Sequence, residues 1–166
     1  MRKNILFVLS LLFGSVLFAQ DSLPEANRKI LEFVNTQIGK KVKTGVCFDL
    51  VKGALDVATP GWDKRKKRKW IFFKTYEFVY GKRVCRKKIM PGDVVLFEWE
   101  PISGINKHRT KHVCIIYSID KDGNIKIAEQ NTEGTLKKSI VEINNFDTTG
   151  KDWGAKVYKL RFYRAY

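Results

Sequence analysis

The chain has 166 residues, 44% of them apolar and 13% aromatic, with 32 Lys and Arg against 17 Asp and Glu for a formal net charge of +15. That length suits one domain with a packed core, and the composition excludes a collagen, a coiled coil and a disordered tail. The excess of positive charge points to anionic partners.

In chain order, Arg2 and Lys3 precede an apolar run from Ile5 to Phe18 interrupted only by Ser10, Gly14 and Ser15, and Ala19 supplies a small residue after it. This is the pattern of a secretory signal peptide over residues 1–19, cleaved after Ala19. The run is 14 residues long, short of the roughly 20 that span a membrane. Residues 20–166 are then a single domain that works in a secreted or periplasmic setting, where thiols can be oxidised. The cysteines are Cys47, Cys85 and Cys114. An odd number leaves at least one thiol without an intrachain partner and excludes a dense disulfide scaffold.

Ser22 and Glu25 have the spacing of a capping box around Pro24, and Ile30, Leu31, Val34 and Ile38 recur at helical spacing until Gly39. An amphipathic helix over about 23–38 follows. A second helix runs from about Cys47 to Ala58, apolar on most of its circumference and ended by Pro60-Gly61, so it is expected to be buried. Residues 61–90 then form a basic insertion holding twelve of the basic residues and only two acids, Asp63 and Glu77. Its densest part is Lys64, Arg65, Lys66, Lys67, Arg68 and Lys69, followed by Trp70. Behind an export signal such a run suits anionic envelope polymers or lipid headgroups better than nucleic acid, and these seven residues are the candidate substrate-binding set. The alternative is a solvated loop with no dedicated partner.

Beyond this segment the period changes. Pro91-Gly92-Asp93 turns into a strand over Val94 to Trp99, and strands from His112 to Ile119 and from Asn124 to Asn131 flank an Asp120-Lys121-Asp122-Gly123 turn, predicting a hairpin. Two further strands are expected around Leu136–Ile143 and Lys156–Tyr163. About five mainly antiparallel strands with two helices make the fold class α+β.

Cys47 falls where the second helix begins, beside unpaired backbone N–H groups and the positive end of the helix dipole, conditions that favour a thiolate. The alternative is a core cysteine acting as a small hydrophobe. Of the two histidines, His112 opens a β-branched strand, whereas His108 lies among Lys107, Arg109 and Lys111, so His112 is the better placed base. The His-x-x-x-His spacing of the pair includes no acid and precedes a strand, which argues against a zinc helix. If Ile119 pairs with Asn124, opposed positions set His112 against Asn131 and Cys114 against Glu129 on one face. Glu129 and Asn131 then either orient the imidazole or cap the strand end in solvent.

Gly45-Val46-Cys47-Phe48 at a helix start, Pro91-Gly92-Asp93-Val94-Val95 before a strand, His112-Val113 opening the next and Glu129-Gln130-Asn131 closing the one after together resemble the CHAP group of papain-like cysteine amidases and peptidases. The related NlpC/P60 hydrolases share this order of parts. The resemblance runs from about Gly39 to the end. It implies Cys47 as nucleophile, His112 as general base, Glu129 and Asn131 as the residues that steer the imidazole, no metal or organic cofactor, and amide bonds of peptidoglycan as substrate. Two features depart from the pattern. Cys114 stands two residues after His112 on the same face, where it either packs quietly or pairs with Cys47, and the insertion at 61–90 is unusually long and basic. The rival reading is a non-catalytic basic protein that binds anionic glycans, lipids or nucleic acid.

Overall fold

A computed structural model describes residues 22–64, 80–101, 110–131, 139–149 and 155–166. The signal-peptide reading, the run from Arg65 to Trp70 and His108 lie outside the described residues. Among those described, two N-terminal helices pack on a six-stranded antiparallel sheet, so the class is α+β. The helices are α1, Glu25–Gln37, and α2, Cys47–Ala58. The strands are β1, Lys82–Val84; β2, Val94–Pro101; β3, Thr110–Ile119; β4, Ile125–Glu129; β5, Glu142–Asn145; and β6, Ala155–Arg164, in the order β1-β6-β2-β3-β4-β5.

The apolar spacing read from the sequence explains the packing of both helices. Ile30 and Val34 of α1 and Leu50, Val51, Ala54 and Leu55 of α2 are buried in one cluster with Val94, Val113, Ile115, Ala128 and Tyr163 of the sheet. The alternate residues of the same strands, Val95, Phe97, Cys114, Ile116, Ile127 and Phe162, form a second buried cluster, as the two-residue period of a strand requires. The start of α1 differs from the capping-box expectation. Its N-cap is Pro24, which offers no side-chain cap, and Glu25 instead pairs with Lys29 one turn on, at 2.7 Å. Its C-terminus falls at Gln37 because Ile38 leaves the helix to bridge Val141, with the Gly39 N–H donating to the Val141 carbonyl.

The Pro-Gly-Asp turn locks the helical layer to the sheet. Gly92 has φ +87° and runs so close to α1 that a Cβ would lie 2.6 Å from the Asn27 carbonyl oxygen, a combination of backbone and space that only glycine accepts. Asp93 is fully buried. Its carboxylate accepts from Nε and Nη2 of Arg164, both at 2.9 Å, from the Asn27 amide at 3.0 Å and from the Met90 N–H at 2.9 Å. One buried charge thus ties α1, the turn and the end of β6 together, with its acceptor sites filled as burial demands.

Three expectations about the sheet need correction. The short strand β1 was not foreseen, since Lys82-Arg83-Val84 is too brief and too charged to show a period. Of the strand expected over 136–143, residues 136–138 lie outside the described residues, and the described part forms a strand only from Glu142, running on to Asn145. The β3–β4 turn has five residues rather than four, with Ile119 opposite Ile125. The Asp120 carboxylate accepts the N–H groups of Asp122 and Asn124, and Gly123 takes φ +84°, an Asx-type loop that this sequence favours. That one-residue slip alone would reverse the faces. An irregularity between Ile116 and Ser118 cancels it, so that Ile116 faces Ile127 and Ile115 faces Ala128, the register first expected at the His112 end.

Candidate active site

Cys47 is the first residue of α2, after Val46 in extended conformation. The loop before it is fixed from several sides. Gly45 has φ +93° and passes so close to Ser139 that a Cβ would lie 2.5 Å from the serine Cβ. Asp49, in the first helical turn, reaches back to accept from the Thr44 N–H at 2.9 Å and from the Thr44 hydroxyl, which satisfies a donor of the loop and places negative charge at the helix start.

The fully buried Gln130 supplies the third restraint, and sequence reasoning gave it no role. Its Nε2 donates to the Val46 carbonyl at 2.7 Å and to the Val42 carbonyl at 3.3 Å, while its Oε1 accepts from the Val42 N–H at 3.2 Å. The residue after β4 therefore holds the residue before the thiol. A polar residue between Glu129 and Asn131 was the available signal, but only the fold shows that it turns inward. Gln130→Leu is expected to lower unfolding free energy by about 1–3 kcal/mol, because it strands buried backbone groups, and to slow alkylation of Cys47. Urea denaturation and the rate with iodoacetamide at neutral pH check this. Equal values for both proteins would remove Gln130 from the site.

His112, near the start of β3, lies opposite Phe97 of β2, and the two rings meet edge to face at 5.3 Å between centroids. Its Nε2 contacts Oε2 of Glu129, the last residue of β4, at 2.8 Å. The other oxygen of Glu129 accepts from the Asn144 amide of β5 at 3.0 Å. Both His112 and Glu129 keep only 12% of their side-chain surface exposed. The Cys47 thiol is within hydrogen-bonding reach of His112, and the backbone N–H groups of Val113 and Phe48 also point to it. Burial pushes the thiol up, but those hydrogen bonds and the imidazole charge outweigh it and hold Cys47 below the ordinary thiol range. Burial likewise disfavours the charged imidazole, yet Cys47 and Glu129 together raise His112 to about 9. Both shifts favour the charged forms, a thiolate beside an imidazolium, with the Glu129 carboxylate in contact with the ring.

No family model, curated protein or solved structure matches this chain.

The remaining candidates take different places. Asn131 lies beyond the end of β4 with φ +62°, so the expected pairing of Asn131 opposite His112 within the ladder does not form; Glu129 reaches the imidazole diagonally instead. Cys114 is fully buried in the second apolar cluster, and burial, with the charges of Glu129 and Cys47, keeps its thiol strongly protonated. Cys47, Cys85 and Cys114 are all free thiols. Lys64 ends a 3-10 turn, Trp62–Lys64, and Arg65, Lys66, Lys67, Arg68, Lys69 and Trp70 lie outside the described residues.

An aromatic group beneath α2 is a further feature without a sequence signal. Tyr80 stacks on Trp62 at 6.2 Å, meets Tyr163 edge-on at 5.7 Å and packs near Phe48. Burial, and then the charge on Cys47, push its phenol well above the ordinary tyrosine range. Among the described residues, no group of three His, Cys, Asp or Glu is arranged to hold a metal ion.

Proposed function

We propose that this chain is an exported cysteine hydrolase of the CHAP and NlpC/P60 type, with a papain-like order of parts, that cleaves amide bonds of peptidoglycan. The observation that carries the reading is the linear contact Cys47–His112–Glu129–Asn144, with the thiol at a helix N-terminus and the imidazole anchored through Nε2. Anchoring at Nε2 leaves Nδ1 for the sulfur, the division of labour a nucleophile–base–orienter set needs.

In this mechanism the Cys47 thiolate attacks the amide carbonyl carbon, forming a C–S bond while the carbonyl electrons move onto oxygen. In this reading the free N–H groups at the start of α2, that of Cys47 among them, would hold the oxyanion. His112 gives its proton to the departing amine as the C–N bond breaks, leaving a thioester. It then takes a proton from water, whose oxygen displaces the sulfur and restores the thiolate and the imidazolium. Glu129 holds the ring and offsets its charge in both halves. The resemblance supplies the substrate class, either the bond between muramic acid and L-alanine or one within the peptide, and the signal-peptide pattern supplies access to it.

Incubation of the reduced protein with purified sacculi, beside Cys47→Ala, tests the reading. Soluble muropeptide fragments released by the unaltered protein alone are expected, and their masses identify the bond. Intact sacculi with both proteins would reject peptidoglycan hydrolysis and favour the binding reading that the +15 charge supports.

A further inference from the structure

A second concave site lies at the β1 edge of the sheet, where the chain's end folds against Lys82–Val84. It encloses about 380 Å³ and is lined by Lys82, Arg83, Cys85, Lys88, Arg164 and Tyr166 among others, none of them part of the Cys47–His112–Glu129 set. The size falls within the range of small-ligand sites.

Its charge is one-sided. The buried carboxylate of Asp93 already pairs with Arg164, which also donates to the Lys88 carbonyl at 2.6 Å. The guanidinium is therefore a fixed wall of the cavity. Lys82 stands directly opposite Arg164 across the β1–β6 ladder and so projects from the same face of the sheet, beside a guanidinium whose own charge Asp93 offsets. Neither Lys82, Arg83 nor Lys88 has an acidic partner among the described residues. Arg83, opposite Tyr163, alternates to the other face, so Lys82 and Lys88 are the cations that give the concavity its positive field.

We propose that this cavity is a phosphate-binding site that takes a phosphate monoester or pyrophosphate group. A phosphate gathers about two charges and three acceptor oxygens on one centre, which two ammonium groups beside an immobilised arginine can share, whereas the charge of a dicarboxylate is spread over two separated groups. The site stands independently of the hydrolase reading, and its ligand supplies the counter-charge that Lys82 and Lys88 lack among the described residues.

Cys85, exposed on the lining, reports on occupancy. In the Cys47→Ser protein, alkylation of Cys85 by neutral N-ethylmaleimide is followed by mass spectrometry at constant ionic strength, with pyrophosphate, glycerol phosphate, malonate or phosphatidylglycerol vesicles added. Pyrophosphate is expected to slow Cys85 alkylation roughly tenfold when present at ten times its dissociation constant, with glycerol phosphate acting likewise and malonate not. The double variant Lys82→Gln/Lys88→Gln, with an unchanged circular dichroism spectrum, is expected to lose the protection. Equal protection by malonate, protection by vesicles alone, or protection that survives the double substitution would each overturn the proposal. Because Cys47 is absent from this assay, failure here leaves the sacculus digestion untouched, and the converse also holds.

Discussion

Replacing His112 with alanine is expected to slow amide hydrolysis by about 10²–10⁴-fold, the contribution of a positioned acid–base side chain. The pH behaviour of the unaltered protein carries the same information with more detail. In the proposed hydrolysis, activity is expected to fall on the acid side as the Cys47 thiolate takes up a proton. On the alkaline side it is expected to fall near pH 9, as His112 loses the proton that the proposed mechanism gives to the leaving amine. The two groups titrate as one unit. The consequence for stability follows from the signs. His112 is raised from 6.5 to about 9, so its contribution is complete below the lower value and lost as pH rises through the upper one. Cys47 is lowered from the ordinary thiol value, so its contribution is present above that value and lost as pH falls through the lowered one. Where both windows overlap the slopes oppose each other, and the pair is nearly silent in a denaturation curve. The imidazole resonances are the better probe. His112 is expected to titrate near 9, and both Cys47→Ala and Glu129→Gln are expected to lower its midpoint. A midpoint near 6.5 in the unaltered protein, or one indifferent to Cys47→Ala, would exclude the ion pair.

How far the sequence foretells this arrangement depends on whether a residue's role is local. The helix at Cys47 is legible because the apolar spacing from Leu50 to Ala58 and the Pro60-Gly61 stop are contiguous signals. The Pro-Gly-Asp turn is legible as a turn, but the four hydrogen bonds to Asp93 come from three residues, on α1, at the turn and in β6, and no local pattern predicts them. The pairing of His112 with Glu129 is an instructive intermediate. Alternation along two strands puts both on one face whatever the turn, provided the total slip is even. The actual loop is odd, and the irregularity at Tyr117 makes the slip even again. Gln130 and Asn144 were beyond reach for a different reason. Each acts at a point where a strand ends or joins the ladder late, and strand ends are set by competition between the ladder and loop hydrogen bonds rather than by side-chain period. The six consecutive cations and Trp70 were conspicuous in the sequence, whereas the cations around the β1 cavity became a group only once Lys82 was paired with Arg164.

Asp93→Ala is expected to be the most destabilising single substitution among the described polar residues, costing about 3 kcal/mol because it leaves the partly buried Arg164 guanidinium without its counter-ion and two further donors without an acceptor. For a domain of this size that corresponds to a fall of roughly 10 °C in Tm. The cost has three parts. The Arg164 guanidinium, 23% exposed, loses a bidentate partner, and the Asn27 amide and the Met90 N–H each lose an acceptor. Asp93→Asn keeps the volume and one acceptor oxygen, so it should be milder. The double variant Asp93→Leu/Arg164→Met removes both charges together and should recover much of the loss, since a buried pair replaced as a unit by apolar side chains is often neutral. Thermal unfolding of the three variants separates a charge clamp from simple packing. If the clamp is what joins α1 to the sheet, the order of Tm is Asp93→Ala lowest, Asp93→Asn above it and the double variant above Asp93→Ala. A double variant no more stable than Asp93→Ala would mean that the Asn27 amide and Met90 N–H left without an acceptor, not the unpaired arginine, set the cost. The clamp also fixes where β2 begins, and β2 sets the register that puts Phe97 against His112. Asp93→Ala is therefore expected to broaden the His112 resonances at temperatures below its own unfolding, an effect that a purely peripheral ion pair would not produce.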